Sequence, residues 1–206
     1  MEYAIPIDPV VFRTYYPTVT STVVATTPKT KYKVVLQDPG GSLSGELDKW
    51  ATELKNDNPN YTTCCIQMSH AINMSFHLTD STKMVGLKSY WRTNHAQKIA
   101  SAGNREFRYL ASVDEMKAFL NLTFGEGERI TRRADGKPAS RAEAKSYILG
   151  RSGIVVFMGN HTAGIHTEIW YVEDFHQGWM KKREDVFDLD PVWFWDMGVQ
   201  RDLEPV

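Results

Sequence analysis

The chain has almost no cysteine. Only Cys64 and Cys65 occur among 206 residues, and they are neighbours. A bridge between neighbours is strained and closes almost no loop, so the fold must stand on its core rather than on disulfides. Long apolar runs are missing as well. No stretch approaches the ~18 residues of a membrane span, which argues against membrane insertion. Neither sign of charge dominates: Lys and Arg number 24 against 25 Asp and Glu, a net charge of −1. Such a balance gives no footing for broad binding to nucleic acid or anionic membrane. The short clusters Arg129-Ile130-Thr131-Arg132-Arg133 and Lys181-Lys182-Arg183 read as solvated turns. Pro6, Pro9 and the early Glu2 occupy the place of a signal peptide's apolar core, so no signal peptide is expected. The Asn-X-Ser/Thr triplets at Asn60, Asn73, Asn121 and Asn160 then read as coincidence.

What is present is ordinary globular material, 42% apolar and 24% charged. The length suits one catalytic domain spanning 1–206, with residues 1–40 forming an N-terminal arm of no assigned role. In that arm Thr18 to Val24 reads as strand, and Lys33-Val34-Val35-Leu36 is an apolar run closed by the turn Asp38-Pro39-Gly40-Gly41. A helix follows from Ser44, with Leu47, Trp50, Ala51 and Leu54 on one face. Trp91 to His95 is polar and loop-like; Glu106 to Leu110 alternates weakly as a strand does. Ser112, with Glu115 three residues on, begins another helix that Gly125 ends, and Ser140 to Leu149 is a shorter helical pattern. Then the period changes. Gly153 to Gly159 is a continuous apolar run between glycines, the mark of a buried strand. Ile165 to Val172 follows as a second strand, and Val186-Phe187 and Val192 to Trp195 supply later β-like or packing segments. Helices first and sheet last give an α+β class.

The two cysteines open a helix running to about Phe76. Thr62 and Thr63 stand at its cap, and Met68, Ala71 and Ile72 recur at helical spacing from Cys64. A thiol in a first turn sits at the positive end of the helix dipole, which favours the nucleophilic thiolate. An arbitrary buried cysteine is more often simple packing. His166, opening a buried strand a hundred residues on with acids nearby, changes that balance: helix-borne thiol and strand-borne imidazole are the parts of a cysteine hydrolase.

The blocks around these residues resemble the type VI secretion amidase effectors of the fourth family, small papain-like (NlpC-type) peptidoglycan peptidases. Their nucleophile motif, roughly Cys-Ala-Ile-Arg-Met-Ser followed by Ala-Leu-Asn, is matched by Cys64-Cys65-Ile66-Gln67-Met68-Ser69 and Ala71-Ile72-Asn73. Their Gly-Ile-Ile strand and His-Ile-Asp-Leu-Trp block are matched by Gly153 to Phe157 and His166-Thr167-Glu168-Ile169-Trp170. Val192-Trp193-Phe194-Trp195 and the stretch from Phe119-Leu120 to Phe124-Gly125 are also similar. The resemblance covers about residues 44–197. It implies a papain-like fold with the helix-borne Cys packed on an antiparallel sheet, and cleavage of the D-glutamyl–meso-diaminopimelate bond in peptidoglycan stem peptides. It also implies injection into the target periplasm and an immunity protein as partner; no cofactor and no metal are expected. The departures are Gln67 for arginine, Glu168 for aspartate, and a missing Asn-Gly turn after the His strand.

The catalytic residues on this reading are Cys64 as nucleophile, His166 as base and Asp174 as the group that orients the imidazole. The family's third residue is an Asp about ten positions beyond the His; Asp174, eight on, is the nearest here. Glu173 and Asp185 remain alternatives, as does Glu168, because residues i and i+2 on a strand share a face. Cys65 competes with Cys64, and His161 with His166. His70 and His77 share a helical face but lack a third ligand for zinc. The Trp193/Trp195 pair reads as packing. A papain-like acyltransferase or deamidase, and a non-catalytic binding module with an inert Cys64, stand as the other functional readings.

Overall fold

The computed structural model describes residues 3–38, 41–42, 45–58, 60–85, 97–101, 105–159, 165–177, 180–181 and 183–198. In chain order its elements are α1 (Pro9–Thr14), β1 (Thr18–Ala25), β2 (Lys31–Asp38), β3 (Gly41–Ser42), α2 (Gly45–Asp57) and α3 (Cys64–Phe76). They continue with β4 (Gln97–Ser101), β5 (Arg105–Tyr109), α4 (Val113–Phe124), β6 (Glu128–Arg129) and α5 (Arg141–Ile148). The last four are β7 (Ser152–Phe157), β8 (His166–Tyr171), β9 (Asp174–Phe175) and β10 (Val192–Asp196). The class is mixed α+β with antiparallel sheets. Two compact units divide the chain: residues 14–115, and the residues up to 13 together with those from 116 onward. The expected arm is thereby split at Thr14. Among the described residues no helix is long and apolar enough to cross a membrane. The expected loop Trp91 to His95 lies outside the described residues.

In the unit 14–115, β2 is paired along one edge by β1. On its other edge the backbone groups of Tyr32, Val34 and Leu36 need partners, because an unpaired edge group removed from water is costly. Three side chains of α2 supply them. Asn56 Oδ1 accepts the Tyr32 N–H at 2.7 Å, Thr52 Oγ1 accepts the Val34 N–H at 3.0 Å, and Asp48 Oδ1 accepts the Leu36 N–H at 2.8 Å. The match is geometric. Four residues of helix advance ~6 Å and two residues of strand ~6.6 Å, so helix positions 48, 52 and 56 keep step with strand positions 36, 34 and 32. Leu47 and Ala51 are buried beside this seam. The expected strand from Thr18 is present, but α1, opened by Asp8 Oδ1 accepting the Val10 N–H at 2.7 Å, was not legible in a stretch read as extended.

The other unit is built on a five-stranded antiparallel sheet in the order β6-β10-β7-β8-β9. β7 is buried at every position, as its unbroken apolar run requires. Phe157, Trp170, Phe175, Phe187 and Phe194 form the aromatic part of the core. Gly153 is needed for close approach: a Cβ there would meet the Trp195 carbonyl oxygen at 2.2 Å. α5 starts at a full capping box, with Ser140 Oγ accepting the Glu143 N–H and the Glu143 carboxylate accepting the Ser140 N–H. Val186 and Phe187 are packing residues on a 3₁₀ turn, Glu184–Asp188. Trp195 is fully buried, whereas half-buried Trp193 lies under the Lys117 ammonium at 4.3 Å.

Candidate active site

α3 begins at Cys64, as its sequence predicts, and every residue of it except Met74 is buried. Thr63 occupies the cap position without capping by its side chain. The reason is a longer-range partner: Thr63 Oγ1 donates to Gln67 Oε1 at 3.0 Å, and Gln67 Nε2 donates to the Pro17 carbonyl at 2.7 Å. The hydroxyl that meets the nucleophile candidate is Thr62, whose Oγ1 lies 3.1 Å from Cys64 Sγ. Cys65 Sγ is 4.0 Å from Cys64 Sγ. Burial, with Cys64 beside it, pushes the Cys65 thiol well above the ordinary range, which favours its protonated form. Further along the helix Ser69 Oγ accepts the Leu110 N–H at 3.0 Å, and Asn73 bridges the Arg108 carbonyl and the Val85 N–H. His70 Nδ1 lies 3.1 Å from the Tyr109 hydroxyl, and His77 Nδ1 lies 2.6 Å from the Met74 carbonyl oxygen. These two imidazoles therefore serve the packing of α3 against β5 and its own last turn.

In the sheet unit His166 is the first residue of β8 and sits across from Phe157. The two rings stack at 13° with centroids 6.3 Å apart, so Phe157 covers one face of the imidazole. The other decisive contact is Glu168. One carboxylate oxygen accepts the Ile169 N–H at 2.8 Å, and the other faces His166 Nε2 at 3.5 Å. Both residues are buried, Glu168 completely. A carboxylate anchored on its own backbone N–H thus stands beside one ring nitrogen, where it is placed to orient the imidazole.

Asp174 is elsewhere. It pairs with Tyr171 at the far end of β8, five residues or ~16 Å along the strand from His166. Its Oδ1 accepts the Phe175 N–H at 2.8 Å. Glu173 is exposed, and Asp185 is bound to the Arg183 guanidinium. Of the four acids weighed from the sequence, the one brought to the imidazole is Glu168. His161 lies outside the described residues. The sequence missed Thr62 as a sulfur contact, because an adjacent threonine pair before a helix reads first as a cap. The signal was its position two residues before the thiol.

The family model of type VI secretion system amidase effector protein 4 (Tae4) matches residues 61–195. The chain belongs to this family. Its membership makes it a type VI secretion amidase effector, an antibacterial hydrolase of peptidoglycan. Among solved structures the chain is similar to the Enterobacter cloacae Tae4 in complex with Tai4, at 17% identity and a TM-score of 0.45, over 76% of this chain and 84% of that one. It is also similar to Salmonella typhimurium Tae4 bound to the Enterobacter cloacae immunity protein Tai4: 17% identity, TM-score 0.42, 71% and 82% covered. Enterobacter cloacae Tae4 alone gives 16%, 0.43, 71% and 80%. No curated protein matches the chain.

Proposed function

We propose that this family member is a papain-like cysteine amidase that hydrolyses the D-glutamyl–meso-diaminopimelate bond of peptidoglycan stem peptides, acting as one catalytic domain in the periplasm of a target cell. Cys64 is the nucleophile and His166 the base; Glu168 takes the orienting role for which Asp174 was the first expectation. The observation that carries the assignment is the buried Glu168 carboxylate facing His166 Nε2. With Nε2 turned to the carboxylate, proton transfer falls to Nδ1. His166 removes the Cys64 proton, and the thiolate attacks the amide carbonyl. The Cys64 backbone N–H at the helix start stabilises the oxyanion. The imidazolium then protonates the leaving amine, and an activated water hydrolyses the thioester, regenerating the thiol and releasing the acid. The raised thiol of Cys65 supports Cys64 as the reactive neighbour. The complexes of similar effectors with Tai4 support an immunity protein as the partner in kin cells.

The test is mass spectrometry of purified muropeptides incubated with the protein. The expected products are the stem cut after D-glutamate, with Cys64→Ala and His166→Ala both inactive and Cys65→Ala active. Undiminished cleavage by folded Cys64→Ala would sink the assignment.

A further inference from the structure

Two features of the nucleophile's surroundings are left over. Gln67 stands where the resembling motif carries arginine, and Pro17 belongs to a segment outside the matched residues 61–195. They meet. Gln67 is 2% exposed, and its amide joins the Pro17 carbonyl at 2.7 Å to the Thr63 hydroxyl at 3.0 Å. We infer that Gln67 is a positioning residue for Cys64, and that through it Pro17, at the entry to β1, becomes part of the catalytic apparatus. The inference rests on Cys64 being the nucleophile.

The chemistry of the amide makes the tie directional. Its N–H faces a carbonyl, which can only accept, and its oxygen accepts the hydroxyl proton. Turned over, the amide would set oxygen against oxygen at Pro17, so one rotamer is held. An arginine would offer donors alone and bring a charge into a site with 2% exposure, whereas a neutral amide needs no counter-charge there. The Pro17 end is firm. Pro17 is buried and leads directly into β1, which is paired along its length with β2, and α2 grips β2 from the other side. At the other end, Thr63 is the residue between Thr62 and Cys64. Thr62 Oγ1 touches the Cys64 sulfur at 3.1 Å, and a thiolate has no proton to give, so in the reactive state the hydroxyl must donate to it. Fixing Thr63 fixes the peptide unit that carries Thr62. Releasing it lets the hydroxyl drift from the sulfur and weakens the thiolate.

The experiment is alkylation of Cys64 by iodoacetamide as a function of pH in the full chain. Fragment mass spectrometry separates Cys64 from Cys65, and circular dichroism and muropeptide hydrolysis are followed in parallel. Gln67→Met keeps the length and loses both hydrogen bonds. It should fold, lower the Cys64 alkylation rate at neutral pH about tenfold, raise the pH midpoint, and slow hydrolysis by a similar factor. Thr63→Val should reproduce the shift and Thr63→Ser should remain near wild type. A folded Gln67→Met with the wild-type pH profile overturns the inference. If Gln67→Met fails to fold, Thr63→Val decides: an unshifted profile overturns the inference and a shifted one supports it. Failure of the nucleophile assignment shows separately, as hydrolysis by Cys64→Ala, because the alkylation profile does not depend on which residue attacks substrate.

Discussion

The helix that carries Cys64 and the sheet that carries His166 are held by different forces. α3 is buried on every side, yet Gln67, Ser69, His70 and Asn73 lie in its buried faces, and each reaches a group outside the helix. β7 and β8 pack on Phe157, Trp170, Phe175 and Phe187, whose ring contacts are apolar and tolerant of small rotations, with one directional tie from the Trp170 indole N–H to the Ile148 carbonyl. Hydrogen bonds are directional and burial is not. The polar ties therefore fix the rotation of α3 about its axis, and with it the direction of the Cys64 side chain. The sheet is built on aromatic packing, with the buried His166 and Glu168 set into it side by side.

The largest expected effect tests that pair. Glu168→Gln keeps the shape and the acceptor toward Ile169 N–H but removes the charge facing the imidazole. Its kcat should fall about 10²- to 10⁴-fold, with KM nearly unchanged, as the orienting role proposed for the carboxylate requires. Asp174→Asn should stay near wild type. The reverse result in steady-state kinetics would return the orienting role to Asp174 and break the contrast between a sheet with one functional acid and a helix with many polar ties.

These residues also mark how far the sequence could be read. The buried run from Gly153, the strand opening at His166 and the helix opening at Cys64 were legible because each declares itself by local periodicity. So was the i, i+2 relation that puts Glu168 beside His166. A preference for Asp174 rests on a count along the chain, and a count cannot see that β9 pairs with the end of β8 remote from His166. Thr63 reads as a cap because caps are local, whereas its partner Gln67 is set in turn by Pro17, fifty residues earlier. The clamp of α2 on β2 was hidden for the same reason: Asp48, Thr52 and Asn56 are ordinary surface residues until a strand edge is laid against them.

The next effect is on stability. Trp170 is 1% exposed, donates its indole N–H to the Ile148 carbonyl at 3.0 Å, and meets Phe175 and Phe187 edge-on. Trp170→Ala should cost about 3–5 kcal/mol through lost contacts and an unfilled cavity. Urea unfolding measures it. The contrast is sharpened if the folded variant still shows the wild-type pH midpoint for Cys64 alkylation, since that midpoint belongs to the polar ties of α3. A loss of stability below ~1 kcal/mol would mean that the aromatic cluster is not what holds the sheet.

The smallest expected effect is a gain. Val172 follows β8 with φ at +60°, a left-handed conformation that a β-branched residue adopts at a cost. Asn and Gly take such angles more readily. What holds Val172 there is backbone bonding on both sides: its N–H donates to the Arg151 carbonyl at 2.9 Å, and its carbonyl accepts the Gly150 N–H at 2.7 Å. The side chain is 43% exposed, so little packing is lost on replacement. Val172→Asn should therefore stabilise the protein by about 1 kcal/mol, a rise of about 2–4 °C in Tm, without changing the rate of hydrolysis. Val172→Gly should gain less, because glycine also widens the unfolded ensemble. A lower Tm for Val172→Asn would show that the valine makes contacts in this turn worth more than the strain it carries. The apolar character of the sheet unit would then extend to its outermost turn.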